Sequence, residues 1–132
     1  MPITKCGTIQ PIYEIGRIAQ KYGITFHTDA VQAIGNIRID VNELGIDLLS
    51  MSAHKFYGPK GTGVLYARRG IAFEPLIDGG GQESGKRAGT ENVAGIIGTG
   101  VAIEKAYANF EEKNTKIQSL RDYYISRIEK EI

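Results

Sequence analysis

The stretch Asp47-Leu-Leu-Ser-Met-Ser-Ala-His-Lys-Phe-Tyr-Gly-Pro-Lys-Gly-Thr-Gly63 constrains this chain more than any other. It opens on Leu48, Leu49 and Met51, a short apolar run without a breaker, as in a strand covered on both faces of a sheet. Polarity changes abruptly at Ser52-Ala53-His54-Lys55. Gly58-Pro59 and Gly61 then turn the chain, and Gly63-Val64-Leu65-Tyr66-Ala67 reads as the next strand. Lys55 is therefore expected where a buried strand ends, beside a serine and a histidine. Poor solvation there would favour the neutral, nucleophilic amine that Schiff-base lysines need. The plainer alternative is a loop lysine pointing into water, the common state in Gly/Pro-rich turns.

Size and composition bound the rest. A chain of 132 residues with 42% apolar and 23% charged residues can build one α/β-sized core of an ordinary globular kind. A net charge of +1 without a basic block argues against a nucleic-acid partner. No apolar run reaches membrane-spanning length and no signal peptide opens the chain, so a membrane role is not expected. The one cysteine, Cys6, excludes an intrachain disulfide and suits a reducing cytoplasm. Of the 17 glycines, 11 cluster at Gly58–Gly63, Gly79–Gly89 and Gly95–Gly100, where close backbone approaches are expected.

The order of elements predicts an α/β sheet. Pro11 suits a helix start, and Ile12, Ile15, Ile18, Ala19 and Tyr22 share one helical face that Gly23 ends. Ile24-Thr25-Phe26-His27-Thr28 reads as a strand. Asp40-Val-Asn-Glu43 resembles a capping box opening a short helix that Gly45 stops. A βα connection places Asp29 and Gln32 just past a strand's C-terminal edge, where ligands collect in open sheets. Residues 93–110 predict a Gly/Ala-rich helix, apolar all round and hence buried. Ile117, Leu120, Tyr124, Ile128 and Ile132 line one face of a last helix, opposite Lys116, Arg121, Arg127 and Lys130. The pattern runs to Ile132 without a capping signal, so the chain reads as part of something longer.

Four stretches in order carry a family resemblance: His27-Thr-Asp-Ala-Val-Gln-Ala33, Ser52-Ala-His-Lys55, Gly79-Gly-Gly-Gln-Glu83 and Arg87-Ala-Gly-Thr-Glu-Asn92. Together they resemble the cysteine desulfurases of the NifS/IscS type, pyridoxal-phosphate (PLP) enzymes related to the class V aminotransferases. The resemblance runs from about Gly7 to the C-terminus. It implies a three-layer α/β/α sheet, with residues 1–132 forming part of the large domain of a fold-type-I PLP enzyme. The implied activity converts L-cysteine to L-alanine and leaves the sulfur as a persulfide on an enzyme cysteine. That sulfur would go to an iron–sulfur scaffold or another acceptor protein, in a cytoplasmic homodimer.

Residue by residue, the resemblance implies Lys55 for the cofactor aldehyde, Asp29 for the ring nitrogen and Gln32 for the phenolic oxygen. It gives Ser52 and His54 to the phosphate, and Thr90 to the phosphate of the neighbouring subunit. An anion beside the ring nitrogen keeps it protonated and electron-withdrawing, and a helix N-terminus behind Thr90 would welcome phosphate. From the local sequence alone other roles stay open: a helix cap for Asp29 or Thr90, a solvent-facing Gln32, a backbone-bonded core position for His54. His27 matches a position close to the cofactor, without an assigned role. Three departures stand against these matches. Ile3-Thr4-Lys5 occupies the place of the family's Asn-Asn-Glu. Cys6 matches no family nucleophile. The nucleophile loop, the substrate-carboxylate arginine and the ring-stacking histidine have no counterpart in the chain. It is therefore expected to be inactive alone.

Three further readings compete. Gly80 to Lys86 has the G-x4-G-K spacing of a P-loop, but Arg87 stands where Mg²⁺ needs a hydroxyl and Glu83 would repel phosphate. His27, Asp29 and His54 could supply three zinc ligands, without a fourth, and no metal is expected. A non-catalytic domain serving subunit or partner contacts is the third. Within PLP chemistry the nearest alternative is another class V enzyme such as a selenocysteine lyase.

Overall fold

The computed structural model describes residues 7–132. Cys6 and the Ile3-Thr4-Lys5 departure lie outside the described residues. The elements run α1 (Ile12–Tyr22), β1 (His27–Asp29), β2 (Leu48–Ser52), a 3-10 turn (Ala53–Phe56), β3 (Gly63–Ala67), a single irregular turn α2 (Gln82–Gly85), α3 (Val93–Ala108) and α4 (Phe110–Glu131). The sheet has the order β1-β2-β3, with β1 parallel and β3 antiparallel to β2. This is the α/β class expected.

Register fixes which side chains share a face. Thr28, Leu49 and Tyr66 lie side by side across the three strands. Thr28 and Leu49 are buried. The core on that side joins Leu49 to Ala30, Ala33, Ile34, Ile46, Ala53 and Phe56, with Ala102 and Ala106 of α3 packed against it. The opposite face carries His27, Asp29, Ser50, Ser52 and Leu65, all exposed or half-buried. Only Leu49 of β2 is fully covered. Leu48 and Met51 are half-buried, so the strand is less enclosed than its apolar run predicts.

Close approach, rather than a wide apolar stripe, seats α1. A Cβ on Gly16 would fall 2.1 Å from the Leu44 carbonyl oxygen, so the helix backbone lies directly on the 40–45 turn. Gly16 and Ala19 are buried, whereas Ile15, Ile18 and Tyr22 of the expected face are exposed. Gly23 ends the helix at φ 63, with its N–H donating to Gln20 and that of Ile24 to Ala19. Pro11 stands just before the first helical residue rather than within it.

Three other expectations are corrected. The first strand is His27–Asp29 only. Phe26 serves instead as an anchor, its carbonyl accepting from the Asp47 and Leu48 amides. Residues 41–45 form a turn and not a helix. Asp40 still caps it, with Oδ1 accepting from the Glu43 and Asn42 amides, and these bonds hold its carboxyl below the ordinary value of 3.8. Helix α3 is largely apolar but carries Glu104 and Lys105 and is covered on one side only: Gly95 and Thr99 are buried, while Val93, Ile97 and Val101 are exposed.

Of the glycine clusters, Gly58, Gly95 and Gly98 do make close approaches, to Ala53, Thr62 and Pro59. Gly61, Gly81, Gly85 and Gly100 face open space. The last helix runs unbroken as expected. Its face of Ile117, Leu120, Tyr124, Ile128 and Ile132 is exposed along its whole length. No helix of the described residues is long and apolar enough to cross a membrane.

Candidate active site

Parallel pairing of β1 and β2 sends both strands out of the sheet at the same edge. Asp29 is the last residue of β1 and pairs with Ser50; Ser52 ends β2 one pleat further on. Neighbouring strands are about 5 Å apart and two residues advance about 7 Å. Asp29 and Ser52 are therefore close neighbours at the C-terminal edge, on the same face. Lys55 follows in the 3-10 turn.

That turn explains the exposure of its polar residues. Side chains three apart share a side in a 3-10 helix. Ala53 and Phe56 are buried at 0% and 3% exposure, which leaves His54 and Lys55 pointing outward. The poorly solvated lysine expected from the sequence is thus not found: Lys55 is exposed because the core takes its neighbours on either side. Tyr57 then closes the turn at φ 66 and is 92% exposed.

Asp29, Ser52, His54 and His27 each make a side-chain hydrogen bond, whereas Gln32 is bonded through its backbone. Asp29 Oδ1 accepts from the Val31 amide at 2.8 Å, so the carboxylate caps the 31–36 turn while standing on the exposed face. The capping role left open by the sequence is real, and it orients the group. Gln32 is half-buried, and its carbonyl oxygen accepts from Asn36 Nδ2. Ser52 Oγ and His54 Nδ1 are 2.9 Å apart, which joins a hydroxyl and an imidazole beside Lys55. His54 is not a core residue. His27 Nε2 and Ser50 Oγ are 2.8 Å apart on the same face as Asp29. Ser50 was missed by sequence reasoning, although the period of two that aligns it with Ser52 was available to find it.

Thr90 is not bonded to this group. It is exposed, before α3, and makes no hydrogen bond to Ser52, His54 or Lys55. Arg87 Nη1 donates to the Gly89 carbonyl at 2.8 Å and lies 3.4 Å from that of Thr90. Thr90 is not the cap of α3. Asn92 is, with Oδ1 accepting from the Gly95 amide at 3.0 Å.

The rival chemistries fare poorly in geometry. Lys86 Nζ donates to the Phe73 carbonyl at 3.0 Å and lies over the Phe73 ring, so it does not reach into a phosphate loop. Helix α3 starts seven residues after Lys86, rather than directly behind it as a P-loop requires. Among the described residues no group of three His, Cys, Asp or Glu side chains could hold a metal ion.

An amine, a carboxylate, an amide, and a hydroxyl–imidazole pair gathered at one sheet edge form the donor set that PLP needs. Residues 3–131 match the aminotransferase class-V family. The chain belongs to that family.

Among its relatives, the cysteine desulfurase IscS of Dictyoglomus turgidum is 60% identical over 126 residues, 96% of this chain and 32% of the relative. The chain thus spans about a third of the length of the curated relatives it matches. A solved NifS-like protein from Rickettsia africae superposes with a TM-score of 0.93 at 38% identity, over 98% of this chain and 36% of that one. SspA, solved in complex with cysteine, is 52% identical with a TM-score of 0.72, over 74% of this chain and 29% of that one. The likeness to NifS-like structures matches the fold class that the sequence predicts.

Proposed function

We propose that residues 1–132 are the cofactor-binding part of the large domain of a PLP-dependent cysteine desulfurase. The observation that carries this reading is the shared edge of β1 and β2, which gathers Asp29, Ser52, His54 and Lys55 on the C-terminal side of a parallel pair. The relatives named as cysteine desulfurases, and a relative solved with cysteine bound, support L-cysteine as the substrate. Products would be L-alanine and sulfur handed to an acceptor protein such as an iron–sulfur scaffold. A homodimer in the cytoplasm completes the reading.

Each side chain has one task. Lys55 would hold the cofactor through its aldehyde, and its exposure leaves the amine accessible from solution. Asp29, oriented by the Val31 amide, holds a proton at the pyridine nitrogen. PLP, once bound, withdraws electrons from the substrate's α-carbon. Gln32 donates to the phenolic oxygen. Ser52 and His54, already paired, donate to the phosphate. Thr90, which makes no hydrogen bond to these residues, reaches the cofactor of the partner subunit. The thiolate that takes the sulfur and the group that binds the substrate carboxylate match no stretch of this chain. The chain alone therefore releases no alanine from L-cysteine.

Borohydride reduction of the chain with PLP, followed by peptide mapping, tests the assignment. The pyridoxyl group is expected on Lys55. A label on Lys60 or Lys86 instead would remove the central claim.

A further inference from the structure

The proposed site stands on two segments that share no strand or helix. One is the 31–36 turn, which carries Gln32 behind Asp29. The other is the 3-10 turn that carries His54 and Lys55. They meet at Gly35. This residue is buried at φ 75, and a Cβ on it would lie 3.1 Å from Ala106 Cβ and 3.4 Å from Phe56 Cβ. Phe56 belongs to the 3-10 turn and Ala106 to α3, so three pieces of chain converge where only a glycine fits.

The backbone of Gly35 is also held from both sides. Its N–H donates to Tyr107 Oη at 3.2 Å, and its carbonyl accepts from Lys113 Nζ at 3.0 Å. Tyr107 Oη in turn donates to the Ile37 carbonyl at 3.0 Å. One hydroxyl thus accepts from one backbone group and donates its single proton to another two residues on. The Tyr107 ring is stacked on Phe110, with centroids 5.3 Å apart, so the hydroxyl is fixed by a side chain that is itself packed. Asn114 Nδ2 lies 3.5 Å from the Asn36 carbonyl and marks the same contact. The bonds run from the α3–α4 junction to the loop directly behind Gln32.

We propose that Tyr107 is a positioning residue. Acting through Gly35, it holds the Gln32 segment and the His54–Lys55 segment in a fixed relation. The ligand side of this inference rests on the PLP reading above; the mechanical side does not. Lys113 reaches only the Gly35 carbonyl and cannot replace the bond to the amide.

Tyr107→Phe tests it, because the change removes the hydroxyl and keeps the ring on Phe110. Amide hydrogen exchange is measured by NMR on the unliganded chain. Protection is expected to fall at Gly35 and Ile37, and also at Ala53 and Gly58, whose amides Tyr107 does not touch. The β2–β3 amides from Val64 to Ala67 should keep their protection. Loss confined to residues 35–37 overturns the coupling. An equal loss across β3 shows a merely structural role and overturns it as well. If Tyr107→Phe fails to fold, Lys113→Met is read in the same way, with a smaller loss expected at the same amides.

The second readout is the visible band of added PLP. Its apparent affinity is expected to weaken about fivefold in Tyr107→Phe, the scale of one lost hydrogen bond. The band maximum should also move, since Gln32 faces the phenolic oxygen. A band unchanged in both respects overturns the positioning role. Absence of any band with the wild-type chain refutes the PLP reading, and the exchange pattern still decides the coupling.

Discussion

The two ends of β2 differ in what their polar side chains bond to. Just before the strand, Asp47 Oδ2 accepts from the Phe26 amide at 3.0 Å and Oδ1 from Arg68 Nε at 3.1 Å. Arg68 also donates to Asn42 Oδ1 and to the carbonyls of Val41 and Ile46. That end ties β1, the 40–45 turn, β2 and β3 together, and its donors and acceptors are largely used within the chain. At the other end, Ser52, His54 and Lys55 bond to each other or face solvent. Bonding capacity left open at one end of a strand is what a ligand can use. The closed end keeps that edge in place.

The sharpest way to break this contrast is Arg68→Ala. It leaves the Asp47 carboxylate half-partnered and the Ile46 carbonyl without its donor, and Val41 keeps only the bond from the Ile46 amide. We expect a stability loss of about 3 kcal/mol by urea denaturation, the scale of breaking a partly buried, hydrogen-bonded ion pair. A loss no larger than that of an exposed surface pair would show that the closed end holds nothing.

Asp29→Asn probes the open end. The amide oxygen still accepts from the Val31 amide, so the melting temperature should stay within the error of measurement. With the chain grafted in place of the matching third of a full-length relative, alanine release is expected to fall about 100-fold, or about 2.7 kcal/mol in barrier. Parental turnover would leave Asp29 as a turn cap only.

Gly16→Ala extends the comparison to the scaffold near the closed end. The added Cβ meets the Leu44 oxygen, and the helix must move off the 40–45 turn. About 2 kcal/mol of destabilisation is expected from such overpacking. A neutral result would mean that α1 is held elsewhere.

Ser50→Ala should produce the smallest effect. It removes the His27 contact on the exposed face. Thermal stability is expected to change by about 0.5 kcal/mol, since water replaces an exposed partner. A change several times larger would place structural importance at the open end and blur the contrast.

Much of this layout was legible in the chain. The switch from Leu49 and Met51 to Ser52 and His54 located the open end, and Asp29 and Gln32 fell beyond a strand as the βα pattern required. Hydrophobic periodicity misled where it was asked which side chains are covered. Ile15, Ile18 and Tyr22 share a helical face, yet the contact that seats α1 is a bare glycine backbone at Gly16. A pattern records which side chains favour burial, and not which part of the chain comes close enough to cover them. The poorly solvated Lys55 gives way to its exposed alternative for a related reason. Whether a strand end continues straight or winds into a 3-10 turn depends on where Ala53 and Phe56 find their core. The Arg68 and Tyr107 contacts join residues at least 21 and at least 70 positions apart, beyond the reach of any local signal.

Helix α4 is anchored near its start and long beyond it. Lys113 and Asn114 touch the 35–36 loop, and the residues from 115 onward are exposed except Ser126. A helix of 22 residues is about 33 Å long. It is a lever with a short arm at Gly35 and a long arm ending at Glu131. A tilt of about 5° at Asn109, which separates α3 from α4, would carry the far tip about 3 Å over that length. A sub-ångström displacement behind Gln32 thus corresponds to a swing of several ångströms at the tip, and a distance probe there would magnify a movement too small to see at the site.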